Sequence, residues 1–221
     1  MSDPRSHTPQ LESYYAQRAR EYERIYEKAE RQEELAWLRG RVPELFAGRR
    51  VLEIACGTGY WTQHIARKAA HVVACDINEP VLEIAREKPI PKGRAEFHRC
   101  DALALEGVPA GCDAAFAGFW WSHVPRSGLR RFVATLAAKL APGAVVGILD
   151  NRYVEGSSTP ISRRDAEGNS YQLRTLLSGE THEVLKNFPT PGELAEAVRP
   201  VARSAHLETV TYYWLLVFTL K

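Results

Sequence analysis

One stretch constrains the fold more than any other: Val51-Leu52-Glu53-Ile54-Ala55-Cys56-Gly57-Thr58-Gly59-Tyr60-Trp61-Thr62. Its short apolar run reads as a buried strand, and the spacing of Trp61, Ile65, Ala66 and Ala69 reads as a helix. A strand that turns through Gly-x-Gly directly into a helix offers bare backbone to a ligand. Glycine allows positive φ and close approach, and the helix start leaves unpaired N–H groups carrying partial positive charge. A dinucleotide site would need G-x-G-x-x-G for its pyrophosphate. Position 62 is Thr instead of the third glycine. Glu53, inside the strand, would repel a pyrophosphate and suit a ligand with a cation at that end.

S-adenosylmethionine (SAM) has an ammonium, a sulfonium and no phosphate. The stretch resembles motif I of the class I SAM-dependent methyltransferases: two hydrophobic residues, an acid, then Gly-x-Gly-x-Gly. Ala55 stands where the family's first glycine usually stands, and Gly57 and Gly59 match the other two. The resemblance implies an α/β fold, with a Rossmann-like, seven-stranded, mostly parallel sheet and helices on both faces. It also implies SAM as cofactor and a small-molecule type of acceptor.

The chain of 221 residues is long enough for one such domain. Residues 1–10 read as a flexible tail and 11–221 as a single domain. With 29 basic and 27 acidic residues, the net charge of +2 leaves no electrostatic footprint for nucleic acid. Cys56, Cys75, Cys100 and Cys112 lack C-x-x-C spacing and suit buried positions in a reducing cytosol. No His/Cys cluster has zinc spacing, so no metal is expected. The N-terminus has no apolar signal region, and Tyr212–Leu220 is too short to span a bilayer. A cytoplasmic enzyme that engages no membrane is the expectation.

Residues 11–39 read as a helical stretch ended by Gly40. Tyr14, Tyr15, Arg18, Tyr22 and Tyr26 share a face there at three- and four-residue steps. That face either packs on the domain or, as the resemblance implies for residues 11–46, forms a lid over SAM with Tyr15 and Arg18 against the cofactor. Strand two, Val72–Cys75, leads to Asp76-Ile77. An acid at this distance past the turn fits a carboxylate that accepts ribose hydroxyls, and the family's motif II packs the next residue, Ile77, on adenine. Strand three, Ala95–Cys100, leads to Asp101-Ala102, which resembles motif III, with the Asp facing the adenine amino group. Strand four, Cys112–Ala117, leads to Gly118–Pro125, where the family places its motif IV loop with Phe119 and Trp120. A helix over Ser127–Leu140 is expected to stop at Pro142-Gly143, and strand five spans Ala144–Leu149. Residues 152–189 break the βα alternation with a hairpin of Tyr171–Leu177 and Thr181–Leu185. It is either a substrate cap, as the resemblance suggests, or an arm for a homodimer. Thr190 with Glu193 marks the start of helix Pro191–Val198, and two strands close the chain.

Methyl transfer is an in-line displacement for which the protein positions and desolvates the reactants. Aromatic faces tolerate a cation, at about 0.5–2 kcal/mol each. Tyr14, Tyr15, Phe119, Trp120, Trp121 and Tyr153 are candidates, with one of the paired Trp residues set in the core. His123 is the first candidate for a base, and Tyr14 and Asn151 join it as candidate catalytic residues. Asn151 offers a side-chain carbonyl to an amine; Asp150 and His182 are weaker candidates. The sequence lacks the Asp/Asn-Pro-Pro-aromatic motif of DNA adenine methyltransferases and the Tyr-x-x-x-Lys of short-chain dehydrogenases. Two alternatives stay open: cyclisation of SAM to azetidine-2-carboxylate and methylthioadenosine, and SAM binding without catalysis.

Overall fold

The computed structural model describes residues 8–221. Most of the expected tail, residues 1–7, lies outside the described residues, and Thr8 already opens a helix. Chain order begins with α1 (Thr8–Arg18), then 3-10 segments at Ala19–Tyr26 and Ala29–Arg31, then α2 (Gln32–Leu45). The single helix expected to end at Gly40 is therefore two helices separated by a tighter coil. The break falls at Lys28, whose backbone is non-helical (ψ 119°). Gly40 lies inside α2. Leu35, Leu38 and Val42 bury one face of that helix completely, which outweighs the roughly 1 kcal/mol cost of an internal glycine.

The central sheet follows as β1 (Arg50–Ile54), α3 (Tyr60–Ile65), β2 (His71–Asp76), α4 (Glu79–Arg86), β3 (Ala95–Arg99), β4 (Cys112–Gly118), α5 (Leu129–Lys139) and β5 (Leu140–Asn151). Next come β6 (Arg163–Arg164), β7 (Ser170–Thr175), β8 (Thr181–Leu185), α6 (Pro191–Val198), β9 (Ala202–Thr209) and β10 (Tyr213–Leu220). Seven strands pair in the order β3-β2-β1-β4-β5-β10-β9, with β10 antiparallel to both neighbours. Near-continuous apolar strands result, because both faces are covered. Leu52 and Ile54 enter one core layer with Val73, Ala115 and Ile148, and Val51 enters the other with Val72 and Phe116. The order reverses between β1 and β4, which opens a crevice at their carboxyl ends.

Two boundaries differ from expectation. Helix α5 ends at Lys139, and β5 begins at Leu140, ahead of Pro142-Gly143. Proline pushes the residue before it, Ala141, out of the helical region, and one position earlier Leu140 is already extended (ψ 159°) and paired with Cys112. In the inserted segment β6, β7 and β8 form a separate three-stranded sheet, with β7 and β8 antiparallel. It packs on α1 through Tyr14, Leu176 and Val184. At α6 the Thr190 hydroxyl accepts from the Glu193 amide, and the Glu193 carboxylate accepts from the Thr190 amide at 2.7 Å, a complete capping box.

Candidate active site

The turn after β1 takes left-handed backbone at three positions. Ala55, Gly57 and Gly59 have φ of 51°, 54° and 76°. For Ala55 this conformation costs about 1–2 kcal/mol, a strain that glycine would not carry. Gly59 has a packing role: a Cβ there would lie 3.0 Å from the Ala85 Cβ and 3.1 Å from its Cα, so α4 closes against it. The Gly57 amide donates to Asp76 Oδ2, and the Asn78 amide donates to Asp76 Oδ1, both at 2.9 Å. The turn and the end of β2 are thereby locked together.

A narrow cleft opens at this locked corner. Ala55, Gly57, Asp76 and Ile77 form one side, Asp101 and Ala102 the next, and Phe119 and Trp120 the far side. The Asp101 carboxylate accepts the Leu103 amide through Oδ1 (2.8 Å), leaving Oδ2 facing no partner among the described residues. Phe119 also adopts positive φ (60°) and is anchored by its amide to the Leu149 carbonyl at 2.7 Å. Trp121 turns into the core against Phe132 and Trp214, whereas Trp120 stays at the cleft.

Glu53 and Gly59 are not on the cleft wall. Glu53 is 2% exposed beneath the turn. Burial pushes its carboxyl up to about 8, opposed by the Thr62 side chain. At neutral pH it is therefore mainly a neutral acid, and its charge does not repel an anion as the sequence suggested. The turn's strained, bare backbone remains the feature that shapes the ligand site.

The segment between α1 and α2 reaches the cleft through Tyr22, beside Tyr15 of α1. Tyr15 and Tyr22 line it, and the Tyr22 ring faces Gly57. Glu23 ties the segment down, accepting from the Thr58 hydroxyl at 2.7 Å and pairing with Lys88 at 2.5 Å. Tyr26 stacks on Tyr60 with centroids 3.6 Å apart and planes 8° from parallel. Glu23 and Tyr60 escape a sequence reading because they partner across different elements; only the tyrosine spacing signals the face.

A second, larger cavity of about 420 Å³ adjoins the cleft, and Tyr15, Tyr22, Phe119 and His123 line both. At this junction Tyr15 Oη lies 2.8 Å from His123 Nε2, and His123 Nδ1 lies 2.7 Å from the Leu185 carbonyl. A carbonyl only accepts, so Nδ1 carries the proton and Nε2 accepts from the tyrosine. Burial, then Lys186 and Arg174, hold His123 well below the usual histidine range. Burial raises Tyr15.

Tyr14, Arg18 and Asn151 line the larger cavity. Tyr14 accepts from Arg18 at 2.8 Å and is otherwise packed under the inserted sheet. Arg18 thus lines the larger cavity and not the narrow cleft. The Asn151 side-chain carbonyl is taken by Arg31 at 3.1 Å. Asp150 is fully buried, with Lys186 at 2.9 Å and the Ser122 amide at 2.9 Å. His182 packs against Tyr14 and pairs with Glu180, and Tyr153 packs against Phe188; neither His182 nor Tyr153 lines the cleft or the larger cavity.

The cleft fits SAM on its own chemistry. Asp76 and Asp101 present carboxylates at separate strand ends, and Ile77, Ala102 and Phe119 give apolar walls. Among the described residues, no lysine or arginine lines the cleft.

Known proteins agree with this geometry. A family model described as "Methyltransferase domain" matches residues 51–143. A ubiquinone biosynthesis O-methyltransferase of Xylella fastidiosa is 31% identical over 180 residues, covering 80% of this chain and 68% of its own length. A demethylmenaquinone methyltransferase of Clavibacter sepedonicus is 37% identical over 92 residues, 41% of this chain and 38% of its own. Among solved structures, the DhpI-SAM-HEP complex superposes with a TM-score of 0.77 at 26% identity, covering 97% of this chain and 98% of that one. The same protein in its SAH complex gives 0.75. With the sheet order, the glycine turn and a 31% identical relative of this coverage in agreement, the chain belongs to the class I SAM-dependent methyltransferases.

Proposed function

We propose that this enzyme methylates an oxygen of a small molecule held in the 420 Å³ cavity, with the Tyr15–His123 pair receiving the acceptor's proton. Bound SAM supplies a methyl group already activated by its sulfonium. Asp76 would hold the ribose hydroxyls, Asp101 the adenine amino group, and Ile77 and Phe119 the adenine faces. The segment Ala19–Tyr26 serves as the lid over the cofactor, and the β6-β7-β8 sheet caps the acceptor cavity. Oxygen as the acceptor atom is supported by the name of the Xylella relative.

The observation that carries this reading is the shared wall. The His123 Nε2 lone pair, fixed by the Leu185 carbonyl, is presented through Tyr15 where the two cavities meet. As an acceptor hydroxyl attacks the methyl carbon, the carbon–sulfur bond breaks. The hydroxyl proton passes to Tyr15 Oη while the Tyr15 proton passes to His123. Space for a second molecule beside the cofactor favours transfer between molecules over cyclisation of SAM. The experiment is incubation with SAM, alone and with a panel of hydroxylated small molecules, followed by chromatography. S-adenosylhomocysteine formed only with an acceptor supports the reading; methylthioadenosine formed without one contradicts it.

A further inference from the structure

The walls of the larger cavity are far more basic than the chain as a whole. Arg18, Arg24, Lys28, Arg31, Arg174 and Lys186 line it, against one carboxylate, Glu21; the whole chain is balanced at 29 basic to 27 acidic residues. Arg24 and Lys28 lie exposed at the rim. The inner cations are different. Arg31 and Lys186 are only 6% and 4% exposed, and burying a charge without a counter-charge is costly.

Arg31 has no carboxylate in ion-pair distance among the described residues. Its guanidinium spends its donors on Ser157 Oγ (2.8 Å) and Asn151 Oδ1 (3.1 Å), and lies over the Tyr212 ring at 4.9 Å. Arg174, on the inserted sheet, donates to the neutral Gln172 Oε1 at 2.8 Å. Arg18 donates to the Tyr14 hydroxyl. Lys186 does have a carboxylate, Asp150 at 2.9 Å, and it also donates to Ser122 Oγ at 2.6 Å. Its third N–H meets no acceptor among the described residues. The cations sense one another: both Arg174 and Arg31 lower the proton affinity of Lys186. Among the described residues, neutral partners thus orient three arginines around a cavity whose lining offers Glu21 as its one carboxylate.

We infer that the acceptor is a small oxyanion, carrying a carboxylate or a phosphate or phosphonate group, docked on Arg174, Arg31 and Lys186. This rests on the methyl-transfer reading only for the anion's being the acceptor; the binding site itself does not. Guanidinium forks match the geometry of both oxyanion classes. A docked anion also explains how His123 can serve as a base. Burial first, then Lys186, Arg174 and Arg18, oppose its protonation, and a bound negative charge offsets the share due to the cations.

The test is calorimetric titration of the S-adenosylhomocysteine-loaded full chain at two salt concentrations. The probes are lactate, hydroxymethylphosphonate, and the neutral lactamide and methyl lactate. At least one of the two anions should bind at least tenfold tighter than the neutral probes, and weaken as salt rises. Arg174→Gln and Arg31→Gln should each weaken that anion at least tenfold, Arg174→Lys less, with S-adenosylhomocysteine affinity unchanged. Which anion binds tighter decides between a carboxylate and a phosphonate acceptor. Equal binding of anions and neutral probes by the unaltered protein overturns the inference, whatever the variants do. So does anion affinity indifferent to both Arg→Gln changes in folded protein. Anion binding without methyl transfer in any co-incubation with SAM would leave the docking site standing and remove the anion's role as acceptor.

Discussion

Tyr15 and His123 stand 108 positions apart in the chain and share a 2.8 Å hydrogen bond where the narrow cleft and the larger cavity meet. The Leu185 carbonyl, from the inserted sheet, fixes which histidine nitrogen is free to accept. Helix α1, the loop after β4 and the inserted sheet thus meet at one hydrogen-bonded chain.

Removing that path should slow chemistry and spare cofactor binding. Tyr15→Phe and His123→Gln are each expected to lower kcat by about 10²–10⁴, the usual contribution of a positioned acid or base. The affinity for S-adenosylhomocysteine should change less than a few-fold. Steady-state kinetics with calorimetry checks this; a Tyr15→Phe variant with full kcat would leave the pair a structural contact.

Glu53 gives a pH signature. Its carboxyl titrates near 8 in the folded chain and near 4.5 when unfolded. The folded state therefore binds the extra proton between those values, and stability is fully present below about 4.5 and lost as pH rises through about 8. Glu53→Gln should flatten this slope and exceed the unaltered protein in stability at pH 9 by a few kcal/mol, since each tenfold difference in proton affinity is worth about 1.4 kcal/mol. Urea unfolding at pH 5, 7 and 9 measures it. Parallel slopes in the two proteins would place the Glu53 charge in contact with solvent.

Asp76 is braced by two backbone amides, so its loss affects both the ligand and the turn. Asp76→Asn is expected to weaken SAM binding about 10- to 100-fold, since a hydrogen bond to a charged group contributes about 1.5–3 kcal/mol. Unaltered SAM affinity in a folded variant would remove Asp76 from the cofactor site.

Glu23 ties the segment Ala19–Tyr26, the proposed lid, to Thr58 and Lys88. Glu23→Gln should raise the SAM dissociation rate a few-fold, because a partly exposed pair is worth about 1 kcal/mol or less, and leave kcat within two- to threefold. Stopped-flow fluorescence of the nearby tryptophans reads the rate. An unchanged dissociation rate would mean the segment does not gate the cleft.

Much of this was legible in the sequence for physical reasons. Strands buried on both faces read as continuous apolar runs, and glycines and acids at strand ends mark the crevice there, which pointed to the sheet and to Gly57, Asp76 and Asp101 as cleft-lining residues. Local pattern carries no information on burial of a charge. Hence Glu53 looked anionic although its surroundings neutralise it, and Asn151 looked free although Arg31 occupies it. The basic cavity was equally hidden. Arg31, Arg174 and Lys186 lie in segments far apart, and the balance of charge over the whole chain conceals their convergence. The kink between α1 and α2 was missed because the tyrosine spacing is compatible with one continuous helix.

The most direct measurement follows the methyl carbon itself. SAM labelled with carbon-13 in its methyl group is incubated with the enzyme and a hydroxylated acid that proves to bind, and the products are read by NMR. The account predicts that the label appears as a methyl group on oxygen of the acceptor, in step with S-adenosylhomocysteine. Label retained in methylthioadenosine, or left in SAM under every acceptor that binds, would contradict it.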